Sequence, residues 1–187
     1  MEEMINKAKK LYKTSKDKGY KVYKNHVAFW GSELSNFYPC KFELDGHVWK
    51  SSEQYFMAKK AEFFKDNEAF NKILNTELAS EAKKIGREVK NYNDEQWSEV
   101  REEIMYDGVY AKFSQNQNLL NFLFSQEFDN KKFVEGNPFD KIWGVGLNYN
   151  NTDIDNELNW NGQNLLGKIL DNIKTDISLK GVFDSIA

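Results

Sequence analysis

Residues 40–64, CKFELDGHVWKSSEQYFMAKKAEFF, change from a two-residue to a helical hydrophobic period within one short run, and this constrains the fold more than any other feature. Two alternating segments flank Asp45-Gly46, a dipeptide that favours a tight hairpin turn. Directly after them, Ser51 followed three residues later by Gln54 matches a capping box, with Ser51 as N-cap. An amphipathic helix is expected from there to about Phe64, with Glu53 in its first turn. A hairpin that feeds straight into a helix gives the expectation of an α+β chain.

The remaining segments extend that reading. Residues 1–19 are Lys-rich and predict a surface helix ending at Gly19, and 20–30 predict a strand. A second helix is expected over 76–90, and a third from Asn93 or Asp94, with Trp97, Val100, Ile104, Gly108 and Val109 at helical spacing. Asn116 is placed as the cap of a fourth, NQNLLNFLFSQ. KKFVEG reads as a short strand, and DKIWGVGLNY as either a strand or a glycine-bearing loop. Leu165, Leu166, Ile169, Leu170 and Ile173 form the buried stripe of a last helix. Pro39 and Pro138 fall in loops, and no repeat or linker interrupts the chain. At 187 residues, one predominantly helical domain with a small β-sheet is expected.

Composition narrows the function. A net charge of −3 gives no general attraction to nucleic acid, so any such contact needs a local basic patch. Aromatic residues make up 15% of the chain, enough for a core and for stacking surfaces. Cys40 is the single cysteine, which excludes an intrachain disulfide and fits a reducing compartment. The N-terminal MEEMINKAKK lacks the apolar region of a signal peptide, and no stretch is long and apolar enough to span a bilayer. A cytoplasmic protein is expected. Two histidines and one cysteine argue against a His/Cys zinc site, and no acidic run suggests magnesium.

Individual residues then take on weight. An acid in a first helical turn usually just complements the helix dipole. The same dipole and nearby amides favour a charged carboxylate, so a functional Glu53 would orient water or stabilise positive charge. Trp97 at helical spacing is ordinarily core. Trp143 stands beside Gly144, and glycines beside an aromatic let backbone approach a ligand, though a tight turn explains them equally. Arg87, late in a helix, is normally solvated, but an arginine also suits phosphate. Asn36 and Phe37 lie in the loop SNFY, where an Asn has the groups to bond a base or a sugar. No P-loop, GxGxxG, HExxH or nucleophile elbow is present.

Together the segments GSELSNFYPCKFELDGHVWKSSEQYFMAKKA, IGRE, WSEVREEIMYDGVYAKF, FVEG, DKIWGVGL and WNGQNLLGKIL resemble the NADAR (YbiA-like) family, in order, from about residue 29 to 172. The SNF loop, the SSEQY helix start, WGxGL and the terminal W-x-G-x-N-x-L-G at 160–167 are the most specific parts. The resemblance implies a domain over 21–180 preceded by a Lys-rich extension at 1–20. It also implies hydrolysis of a bond between ribose C1 and a base nitrogen, because family members act on ribosylamino-pyrimidine phosphates of riboflavin synthesis or on ADP-ribosylated guanine. Other members are associated with NAD or ADP-ribose metabolism, so a non-hydrolytic ADP-ribose or NAD-binding module is the alternative. Glu53 falls on the family's catalytic Glu, and Asp140, Trp97 and Trp143 on positions of the same pocket. Asp140 is left open between orienting water, binding a ribose hydroxyl and protonating the leaving amine. The two Trp rings are expected to wall base or sugar, and Lys59 and Arg87 are candidates for phosphate. No metal or redox cofactor is implied. The expected partner is a small ribosyl phosphate or an ADP-ribose-type ligand, with ADP-ribosylated nucleic acid as a rival. The chain departs from WGDGG of some bacterial members at Val145, which supplies no carboxylate.

Overall fold

The computed structural model describes residues 18–186; the helix expected over 1–19 and the Lys-rich extension lie, but for their last positions, outside the described residues. Along the chain run β1 (Tyr20–Val22), β2 (His26–Phe29), β3 (Phe42–Leu44), β4 (His47–Trp49), α1 (Ser52–Phe63), α2 (Asn67–Leu74), α3 (Ala79–Arg87), α4 (Asp94–Ser114), α5 (Gln117–Leu123), β5 (Lys132–Glu135) and α6 (Leu165–Ile186), with three short 3₁₀ turns. The class is α+β, and the contacts divide into two compact units. One is residues 36–116; the other joins 18–35 to 117–186.

In the first unit the hairpin forms as the sequence predicts. Asp45 and Gly46 both take positive φ, 53° and 74°, as a two-residue turn between right-twisted strands requires. Phe42 pairs with Trp49 across β3 and β4. Ser51 is extended, and its hydroxyl accepts the Gln54 amide at 3.1 Å, so the cap is realised. The second half of the capping box is redirected: Gln54 Oε1 accepts the Lys50 amide at 2.8 Å. Its Nε2 donates to the carbonyls of Ile73 and Thr76, which ties the start of α1 to the chain leaving α2.

Helix α1 differs from the expectation of an amphipathic element. Every residue from 52 to 58 is buried, because α2, α3 and α4 all pack on it. It is the axis of the unit. Helix α2 has no counterpart in the sequence reading. Asp66 caps it by accepting the Ala69 amide at 3.1 Å, after Lys65 turns the chain with φ 59°. The helix expected over 76–90 is consequently shorter, as α3. It closes on α1 at Gly86, where a Cβ would run into the Met57 thioether.

In the second unit β1 pairs antiparallel with β2, and β2 pairs parallel with β5 in the register Phe29↔Glu135. Helix α6 covers β5, and the predicted stripe from Leu165 to Ile173 is buried there. Residues 140–149 form a loop without strand pairing, which settles the open alternative. Val145 within it is fully buried beside Ala28 and Val134, a position suited to an apolar side chain and unsuited to the carboxylate of WGDGG. Because β2 and β5 run parallel, the chain leaves both strands, at Trp30 and at Gly136, from the same end of the sheet.

Candidate active site

Glu53 sits in the first turn of α1 with its side chain 5% exposed. Its place is set by Asn36. The Asn36 carbonyl accepts the Glu53 amide at 3.0 Å, and Asn36 Oδ1 accepts the Ser52 hydroxyl at 3.1 Å. Asn36 Nδ2 donates to Met105 Sδ, 3.1 Å away on α4. The Asn36 amide is thus buried and bonded at both ends, and it holds the helix start.

The cation of this site is Lys83, from α3. Its Nζ lies 3.9 Å from Glu53 Oε1 and 5.2 Å above the centre of the Phe37 ring. Carboxylate, ammonium and aromatic face therefore meet within the first unit. Sequence reasoning missed Lys83 and selected Arg87 a turn further on. Arg87 is exposed at the C-terminal end of α3, the solvated dipole partner of the ordinary reading. The available signal was spacing: in AKKIGR, Lys83 sits three residues before the Gly86 that must face α1.

Two further expectations change. Lys59 Nζ pairs with Glu62 at 2.5 Å and Asp45 at 3.0 Å. Burial works against its charge, but the bonds to Glu62 and Asp45 outweigh it and raise its pKa, so Lys59 is a cation engaged in bracing the hairpin turn against α1. Trp97 is 4% exposed and packs against Phe56, Phe63 and Phe64 at 5.1, 5.9 and 6.2 Å between ring centres. It is a core residue of the first unit and not the wall of an open pocket, because an apolar ring at helical spacing turns inward toward α1.

In the second unit, Asp140 Oδ1 accepts the amides of Ile142 and Trp143 at 3.0 and 2.9 Å. One carboxylate oxygen therefore folds the loop that carries the half-buried Trp143. Gly144 does allow a close approach, but to the protein itself: a Cβ there would lie 2.8 Å from the Glu135 carbonyl and 3.0 Å from that of Asp140. Glu135, the last residue of β5, is another buried carboxylate, 9% exposed, which the sequence reading passed over inside FVEG. Among the described residues no group of His, Cys, Asp and Glu side chains is arranged to hold a metal ion, and no helix is long and apolar enough to cross a membrane.

A buried carboxylate at a helix start, with an ammonium nearby, suits stabilisation of developing positive charge and orientation of a water molecule. Residues 23–178 match the family described as NADAR domain. The chain is 39% identical over 148 residues to N-glycosidase R617 of Acanthamoeba polyphaga mimivirus, covering 76% of this chain and 86% of that one. It is 31% identical over 144 residues to riboflavin biosynthesis protein VVA0006 of Vibrio vulnificus, covering 77% of this chain and 35% of the relative. Among solved structures, the NMR structure of the E. coli protein YbiA superposes with a TM-score of 0.69 at 24% identity, over 88% of this chain and 91% of that one.

Proposed function

Because the chain belongs to the NADAR domain family, we propose that it hydrolyses the bond between ribose C1 and a base nitrogen in a small ribosyl phosphate or an ADP-ribosylated base. It is a hydrolase of N-glycosyl bonds, the activity after which the mimivirus relative is named. The observation that supports the reading is Glu53, buried, fixed by Asn36 and facing Lys83.

Cleavage of an N-glycosidic bond builds an oxocarbenium-like charge on the sugar. Glu53, as the carboxylate, stabilises that charge or takes a proton from the attacking water. Lys83, as a nearby cation on an aromatic face, attracts a phosphate of the substrate and holds the Glu53 carboxylate in line. Within the second unit, Asp140 shapes the loop bearing Trp143. The rival reading, a module that binds ADP-ribose or NAD without hydrolysis, uses the cation and the Phe37 face and asks no chemistry of Glu53.

Incubation of the protein with a panel of ribosylamino-pyrimidine phosphates, ADP-ribosylated guanine nucleotides and NAD, with detection of released base and sugar phosphate, tests the proposal. Turnover of one class is expected. Binding without release of any base from the whole panel would favour the module.

A further inference from the structure

Trp30 and Phe139 remain 39% and 87% exposed, although their ring centres lie only 6.4 Å apart at an interplanar angle of 62°. Neither ring serves the core, since a buried Phe gains its stability by leaving water. Both are nevertheless held on fixed backbone. The Trp30 amide donates to the Gly19 carbonyl at 2.8 Å, and the Phe139 amide to Asn137 Oδ1 at 2.9 Å. The Gly136 amide donates to the Phe29 carbonyl at 2.8 Å, which fastens the start of one loop to the end of the other strand.

The location gives the pair its meaning. Trp30 follows β2 directly, and Phe139 lies between Glu135, at the end of β5, and Asp140. These are the carboxyl ends of two adjacent parallel strands, so both rings are carried out from the same end of the sheet. An edge-to-face aromatic pair presents a flat face on which any nucleobase stacks, whatever its hydrogen-bonding edge. We propose that Trp30 and Phe139 form a base-stacking site of the second unit, one that selects ligands carrying a planar nucleobase over the bare sugar phosphate.

AMP and ribose 5-phosphate test this, because they share ribose and phosphate and differ in the base. Titration calorimetry on the full chain should show AMP binding roughly tenfold more tightly, the scale of one base stacked on one ring. Phe139→Ala and Trp30→Ala should each erode that preference, and Phe139→Trp should keep it. Equal affinity for the two ligands in the unaltered protein, or a preference that survives both alanine substitutions, overturns the subsite. Concentration-dependent dimerisation that Phe139→Ala abolishes also overturns it, by assigning the rings to a second copy of the chain. The two proposals fail separately. Loss of the AMP preference in the alanine variants, with no turnover of the ribosyl panel, removes the glycosidase and leaves the subsite.

Discussion

Lys83 Nζ stands 3.9 Å from Glu53 Oε1, and the two side chains come from different helices, α3 and α1. A carboxylate that is 5% exposed needs a fixed partner or a task, because an isolated charge out of water is costly. At 3.9 Å the pair is looser than a directly hydrogen-bonded salt bridge.

Replacement of Glu53 by Gln keeps side-chain volume and the amide bond to Asn36 and removes the charge. Turnover of the preferred ribosyl compound should fall at least ~100-fold with the melting temperature and ligand affinity nearly retained. Near-normal turnover in a folded variant would take Glu53 out of the mechanism.

Lys83→Met should lower turnover roughly 10- to 100-fold and raise KM for phosphorylated substrates, while Lys83→Arg should restore part of the binding. Steady-state kinetics on both variants checks this. A Met variant with unchanged kinetics would assign Lys83 to bracing Phe37.

How much of this was legible follows from the range of each interaction. The hairpin at Asp45-Gly46, the Ser51 cap and the stripe of α6 are local patterns, written in neighbouring residues, and each forms where expected. Helix α2 was not legible, because its start depends on Lys65 turning the chain and Asp66 capping it, and neither carries a strong apolar period. Glu53 was singled out by its helix start and its family match. Lys83 was missed because pairing it with Glu53 depends on how α3 packs on α1, a tertiary fact. The bonds that Asn36 makes were not legible for the same reason: its partners Ser52 and Met105 lie far along the chain.

Asp140→Asn should preserve the loop, since an amide oxygen can accept the Ile142 and Trp143 amides as the carboxylate does. Asp140→Ala should lose about 1–2 kcal/mol in chemical denaturation and disorder Trp143, visible in its fluorescence. A fully folded Asn variant with no turnover would instead assign Asp140 a chemical role.

Asp171 accepts the Phe133 amide at 3.1 Å, and burial raises its carboxyl to about 6, partly offset by that bond and by Lys132 and Lys174. A carboxyl raised in the folded state binds its proton more tightly there than in the unfolded chain. It therefore contributes stability below about pH 4 that is lost as pH rises through about 6. Asp171→Asn cannot titrate and keeps the acceptor. From pH 4 to pH 7 the variant should gain on the unaltered protein by on the order of 2 kcal/mol in urea unfolding. A difference independent of pH would contradict the burial effect.

The contact between Gly86 and Met57 also links sequence drift to activity. A β-carbon at 86 would meet the thioether of Met57, so either that side chain shifts or α3 retreats from α1, and a retreat carries Lys83 away from Glu53. Positions 57 and 86 should therefore behave as a compensating pair: Gly86→Ala alone costs activity, and shortening Met57 to Ala gives back the helix spacing. A random library of active variants would reveal this as a forbidden combination of two individually ordinary residues, both in the contact between α1 and α3.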